Sequence, residues 1–256
     1  VTLSAVILTR DDRLFVPDYL APLLESPHVR VAALLLDRRP SPHLKGRDIL
    51  ALCPWWRWPR LAWLAVLARL PGLSAWAGLP GERRISRLAA RQGIPVFSLT
   101  SSADPNLVAR LRTLAPDLIL SIANSHILPP PVLECAKVAA LNSHGSLLPA
   151  YKGILTGFWL LANGEAQGGV TIHHMDETVD GGAIVGQCSI AIGPDETIVS
   201  YYRKVATHGG RLWAEVVAAF DRGEVAPLVT GAGGACYGRP DGPAIRRFRA
   251  LGRSFI

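Results

Sequence analysis

Asn142, His144 and Asp180 are the residues of this chain whose types and spacing could do chemistry together. They sit in two short blocks, Leu141-Asn-Ser-His-Gly-Ser-Leu-Leu-Pro149 and Gly169-Val-Thr-Ile-His-His-Met-Asp-Glu-Thr-Val-Asp-Gly-Gly182. An amide can donate to an oxygen that gains negative charge, an imidazole can take a proton, and a carboxylate can orient the imidazole. Asn142 ends an apolar run that reads as a strand, and open α/β sheets gather ligands at such carboxyl ends. His144 follows two residues later, so both side chains can face one cleft. Gly145 permits an unusual backbone and Pro149 stops the turn that follows. Taken alone, Asp180-Gly181-Gly182 is an ordinary hairpin-turn sequence; beside Asn142 and His144 it reads as a carboxylate held on a turn. His173, His174 and Asp176 look superficially like metal ligands. Adjacent histidines on a strand point to opposite faces, so no metal site is expected.

The elements that must position these residues are legible as a pattern. Near-continuous apolar runs at Thr2–Thr9, Val29–Asp37, Pro95–Leu99, Asp117–Ile122 and Val138–Asn142 suit strands of a parallel sheet covered on both faces. Helices are expected over Pro17–Glu25, Arg83–Gln92, Asp104–Leu114 and Pro130–Ala136, with Asp104-Pro105 as a cap followed by proline at the first helical position. Strand-helix-strand repetition implies right-handed crossovers and a Rossmann-like, doubly wound, mostly parallel α/β sheet. Gly168–Met175 and Gly182–Ile192 read as strands flanking the Asp-rich loop. Thr197–Arg222 reads as a long amphipathic helix stopped by Gly223, and the tail beyond Gly231 as Gly-rich and then basic. The expected division is a catalytic domain over 1–192, with a helical insertion near 44–79, and a small C-terminal extension over 193–256.

Composition narrows the class. Of 256 residues, 49% are apolar and 18% charged, which excludes a disordered chain. The net charge is +7, carried almost wholly by arginine, which suits planar anions and equally follows from GC-rich coding. Without a lysine-rich arm or reader motif, nucleic acid is not an expected partner. Cys53, Cys135, Cys188 and Cys236 are scattered, so reduced thiols in a cytoplasmic protein are the expectation. The first residues read as a strand rather than a signal peptide, and no apolar run has the length of a membrane span.

Two segments leave alternatives open. Thr9-Arg-Asp-Asp-Arg-Leu-Phe-Val-Pro17 lacks a dinucleotide fingerprint; Arg10 and Arg13 could meet an anionic substrate or pair with Asp11 and Asp12. The segment 44–79 carries Trp55, Trp56, Trp58, Trp63 and Trp76 with Arg57, Arg60 and Arg69. Such a mixture occurs at membrane interfaces, giving a candidate peripheral contact through 55–76. The alternative is a helical cap packed on the sheet or on a second subunit, the latter making a homodimer.

Over roughly Leu114 to Gly223 the chain resembles the formyltransferases that use 10-formyltetrahydrofolate. Asn142, His144, Ser146, Leu147, Leu148 and Pro149 match the family's first motif, Tyr151-Lys152-Gly153 its continuation, and Gly169–His173 with Asp180-x-Gly-x-Ile184 its second. Gly182-Ala-Ile-Val-Gly-Gln187, Ser189–Asp195 and Ala235-Cys-Tyr-Gly-Arg-Pro-Asp241 are similar to sugar N-formyltransferases of the UDP-aminoarabinose type. The resemblance implies formyl transfer from 10-formyltetrahydrofolate to an amine, with Asn142, His144 and Asp180 catalytic. It places the folate ring against Ile127, Leu128 and Val132, with backbone contacts from Met175, Asp176, Glu177, Thr178 and Val179. Arg10, Tyr151 and Lys152 are the expected acceptor-binding residues. The Gly-Ser-Asn phosphate loop of glycinamide ribonucleotide enzymes is missing after the first strand, and too little chain follows the long helix for the barrel of transfer-RNA enzymes. The expected acceptor is therefore a small-molecule amine on a nucleotide-linked amino sugar. Hydroxyornithine, a peptide or a lipid-linked amine is the alternative, and a retired folate-binding module is the non-catalytic one.

Overall fold

Near-continuous burial within the first strands sets the architecture. In a computed structural model describing residues 2–12, 14–39, 46–59, 62–63, 85–225, 229–230 and 233–256, ten strands are found: β1 (Leu3–Arg10), β2 (Val29–Asp37), β3 (Val96–Ser98), β4 (Leu118–Ile122), β5 (Ala139–His144), β6 (Lys152–Gly153), β7 (Gln167–His174), β8 (Ala183–Ala191), β9 (Val229–Thr230) and β10 (Cys236–Tyr237). Eight of them form one sheet in the order β3-β2-β1-β4-β5-β7-β8-β9, and β6 pairs with β10 in a small second sheet. The strands from β3 across to β5 are mutually parallel; β7, β8 and β9 add on in antiparallel fashion. This is the mostly parallel, doubly wound sheet expected.

Each parallel strand buries both faces. Ala5, Ile7, Leu34, Leu36, Leu118, Leu120 and Leu141 point into one core, and Val6, Leu8, Ala33, Leu35, Ile119 and Ala140 into the other. Side chains of successive strand residues alternate, so the period of two divides each run cleanly between the layers. Burying one such Leu or Ile is worth about 1.5–3 kcal/mol, which makes a one-residue register slip prohibitive. The first core is closed by the helix Val16–Leu24 and by the long helix Ile198–Arg222, whose Ile198, Tyr201, Val205, Ala206, Leu212, Trp213, Val216 and Val217 are buried in it. The long helix therefore shares its core with β1 and β2. Thr197 caps it in a reciprocal box with Ser200, and Gly223, at φ 69°, ends it.

Among the described residues, observed boundaries follow the sequence reading closely, with three differences to note. The helix expected to run from Pro130 to Ala136 stops at Leu133, because Lys137 must return to donate to Pro116 O. Strand β5 runs past Asn142 to His144. The basic tail contains a helix, Gly242–Ala250, capped by Asp241 and anchored by Ala244 and Phe248. The later part of the helical insertion expected near 44–79 lies almost wholly outside the described residues. Among those described, no helix is long and apolar enough to cross a membrane.

Candidate active site

The order 3-2-1-4-5 reverses direction between β1 and β4, which opens a crevice beyond their carboxyl ends. A cleft of about 490 Å³ occupies that place, walled by Arg10 after β1, Ala123, Asn124 and Ser125 after β4, and Ser143, His144 and Gly145 at β5. Its remaining lining is largely apolar, including Phe15, Ile49, Ile154, Leu155, Ile198, Val199 and Phe255.

Strand register assembles the trio. Asn142 and His144 are two apart on β5 and share a face. In the antiparallel ladder Asn142 stands opposite His173 of β7. Asp180 enters from the loop after β7, with a left-handed backbone at φ 49°. Its Oδ2 lies 3.4 Å from His144 Nδ1 and its Oδ1 3.7 Å from His173 Nε2. The Gly153 N–H donates to Asp180 Oδ2 at 2.8 Å, which fixes the carboxylate from the other side. The amide, imidazole and carboxylate, 38 residues apart at the extremes, thus meet in one half-buried cluster.

Hydrogen bonds set the tautomers. His144 Nε2 is 2.7 Å from the Tyr151 carbonyl, an acceptor, so that nitrogen carries hydrogen and Nδ1 faces Asp180. His173 Nδ1 donates to His174 O at 2.8 Å, leaving Nε2 to accept from the Asn142 amide at 3.2 Å. That contact fixes which way the Asn142 amide points and leaves its second N–H for another acceptor. Burial pushes His173 below its ordinary value despite its bond to His174 O and the nearby Asp180, in keeping with a neutral ring. His174 turns to the opposite face and meets the Phe220 ring at 6.2 Å.

The motif loop Ser146–Pro149 is strapped to the sheet. Buried Thr171 donates to Ser146 O (2.7 Å) and accepts from Leu148 N (3.0 Å) and Gln187 Nε2 (2.9 Å). Four non-glycine residues with left-handed backbones cluster around the site: Ala123, Tyr151, Leu155 and Asp180. Each costs of order 1–3 kcal/mol and persists only where surrounding bonds over-determine it.

The other expected site residues are placed as follows. Arg10 lines the cleft, donating to Ser125 Oγ (2.6 Å) and Arg39 O (2.8 Å). Behind it, burial would raise the Asp37 carboxyl, but the Arg39 side chain and N–H, with His126, hold it down to about 2. Arg13 lies outside the described residues. The Tyr151 ring stacks on Tyr237 (centroids 5.0 Å apart) and its hydroxyl donates to Glu165, so the backbone of this residue, not its ring, faces His144. Lys152 reaches the Gly181 turn, where its Nζ lies 3.8 Å from where a Cβ on that glycine would stand. Leu128 and Val132 are buried in the second core with Met175 packed beside them, whereas Ile127 and Val179 are 78% and 52% exposed. Asp176, Glu177 and Thr178 form an exposed turn closed by Thr178 N–H to Asp176 Oδ1 (2.8 Å). What the sequence reading missed is His173. It stands in the second motif, and its signal was the strand pairing that sets it against Asn142.

Similarity to known proteins agrees with this geometry. The backbone resembles glycinamide ribonucleotide transformylase 1 from Symbiobacterium toebii (TM-score 0.61, 20% identity, covering 87% of this chain and 89% of that one). It also resembles a 4-N formyltransferase from Francisella tularensis (0.58, 16%, 92% and 76%) and the sugar 3N-formyl transferase WlaRD (0.57, 15%, 92% and 70%). Identities this low speak for the fold alone. The formyl transferase family model, however, matches residues 79–217, just over half of the chain and the stretch that holds the whole Asn142–His144–Asp180 cluster. This enzyme therefore belongs to the formyl transferase family.

Proposed function

We propose that the enzyme transfers a formyl group from 10-formyltetrahydrofolate to the primary amine of an amino sugar, most simply a nucleotide-linked one. The observation that carries this reading is the convergence of Asn142, His144 and Asp180, with His144 forming part of the cleft wall. The acceptor assignment draws support from the tail sequence Ala235–Asp241 and from the neighbours. WlaRD is described as a sugar 3N-formyl transferase in the presence of dTDP and 5-N-formyl-THF. The loop after β1, Thr9-Arg-Asp-Asp-Arg13, lacks the glycine-rich phosphate cradle that a ribonucleotide acceptor would favour.

The residues present suit a folate. Exposed Ile127 and Val179 and partly buried Met175 would offer apolar surface, with Leu128 and Val132 buried in the core, and the tight turn at 176–182 presents backbone groups. That turn leaves no room for larger residues: a Cβ on Gly182 would stand 2.0 Å from His174 O. When bound, the donor supplies an activated formyl group. The second Asn142 N–H is free to donate to an oxygen gaining negative charge. His144, beside Asp180, would take the proton that the attacking amine loses and pass it to the departing tetrahydrofolate nitrogen as the bond from that nitrogen to the formyl carbon breaks.

Incubating the full chain with 10-formyltetrahydrofolate and a panel of 3-amino and 4-amino sugar nucleotides tests the reading by the appearance of formylated sugar. Transfer to at least one member, absent with His144→Ala, is expected. If hydroxyornithine or a peptide amine is formylated and no sugar is, the acceptor assignment is wrong. If no amine is formylated, the whole proposal fails.

A further inference from the structure

Among the described residues, ten large apolar side chains are markedly exposed, and five of these, Leu50, Trp55, Trp56, Trp58 and Trp63, fall within fourteen residues of chain. The four indoles are 72%, 64%, 46% and 60% exposed. The formyl-transfer site uses none of them.

The ground beneath these rings is firm. Leu52 and Cys53 are each 1% exposed, and Leu52 O accepts from Phe255 N at 3.1 Å. The Arg57 guanidinium donates to Ser254 Oγ at 3.0 Å and to Ile256 O. Trp55 and Trp56 meet edge to face at 6.1 Å. The Trp58 N–H is engaged by Cys53 O at 3.3 Å, so its outward surface is hydrocarbon. A pinned base with outward indoles is a built surface, because ordering four rings toward water gains nothing by itself.

Charge identifies what covers it. Besides Arg57, which is engaged by Ser254 and Ile256, the sequence across 44–79 has four cations, Lys45, Arg47, Arg60 and Arg69, against a single acid, Asp48. Tryptophan favours the headgroup layer, where one end of the ring is wet and the other apolar. Clustered Lys and Arg beside it are drawn to anionic lipid. We propose that the face carrying Trp55, Trp56, Trp58 and Trp63 seats this enzyme on an anionic lipid bilayer. The cleft would then open beside the bilayer: Ile49, on the helix Gly46–Ala51 just before the indoles, lines it, as does Phe255, which is bonded to Leu52.

The test uses the full chain with phosphatidylcholine vesicles, with and without phosphatidylglycerol. Cosedimentation with the anionic vesicles and much weaker binding to neutral ones is expected. Trp55→Ser/Trp56→Ser should lower the partition coefficient at least tenfold while keeping the melting temperature and vesicle-free formyl transfer. Brominated phosphatidylcholine mixed with phosphatidylglycerol should quench the tryptophan emission of the unaltered protein, a readout that needs no variant. Absence of binding to both vesicle types overturns the proposal, as does equal binding by the double variant. So does a dimer in vesicle-free solution that the double variant abolishes, since the face would then be covered by a second copy. None of these readouts requires the acceptor assignment to be right.

Discussion

At the β5 end of the cleft the polar side chains are each held by fixed partners. His144 is bonded to Tyr151 O, Asn142 to His173, His173 to His174 O, and Asp180 to Gly153 N. Elsewhere in the cleft lining, Phe15, Ile49, Ile198, Val199 and Phe255 form an apolar wall drawn from four separate stretches of chain, with Arg10 and Asp12 as the charged residues of the cleft. The first end is defined by direction: a donor turned away from its oxygen is useless. The second is defined by shape and area, which many side chains can supply. On the proposed reading, chemistry and acceptor choice are built from different materials, and substitutions should separate them.

The largest effect is expected at the directional end. Asn142→Ala should lower kcat by about 10²–10³, the usual cost of one oxyanion donor, with little change in melting temperature. Single-turnover kinetics check this, and an unaltered rate would remove Asn142 from the reaction. Next comes Thr171→Val. It strips Ser146 O, Leu148 N and Gln187 of a buried partner and should cost about 1–3 kcal/mol in urea unfolding. If the strap matters to the motif loop, kcat falls as well. His173→Gln should reduce kcat about tenfold, equivalent to one hydrogen bond of ~1.4 kcal/mol, while KM holds. A change confined to KM would mean that His173 does not act through Asn142. The smallest expected effect lies at the apolar end, where Phe255→Ala should raise KM for the acceptor several-fold and leave kcat nearly intact.

Acid sharpens the same contrast. The fold holds His173 below its ordinary value of 6.5, so near that pH the folded chain binds fewer protons than the unfolded one. The stability linked to this ring is complete above the unfolded value and is lost as pH falls through the lowered folded value. Protonation also fills the Nε2 lone pair and releases the Asn142 amide. An acid limb in kcat should therefore move or flatten in His173→Gln; an unchanged limb would assign it to another group.

Much of this was legible in the sequence because each parallel strand is a dense apolar run whose ends are marked by charge or proline. Val29–Asp37 is found as expected, and the cap of the long helix falls at Thr197. Asn142 and His144 were legible as a pair because spacing by two is a local property. The contact of Asn142 with His173 was not, since it depends on which strands pair and in what register. The pairing of β6 with β10 was equally hidden, because two-residue strands leave no periodicity to detect. The helix Gly242–Ala250 did carry a signal, Asp241 before Gly-Pro with Ala244 and Phe248 four apart, which the surrounding arginines obscured.

His144 leans on a carbonyl, and every amino acid brings a carbonyl to position 151. Exchange of the Tyr151 side chain would loosen its stack on Tyr237 yet leave the proton on the same imidazole nitrogen. What must survive is the left-handed backbone at φ 56°. Glycine or asparagine can inherit that position with the tautomer intact, whereas valine or isoleucine, which resist positive φ, would swing the carbonyl away.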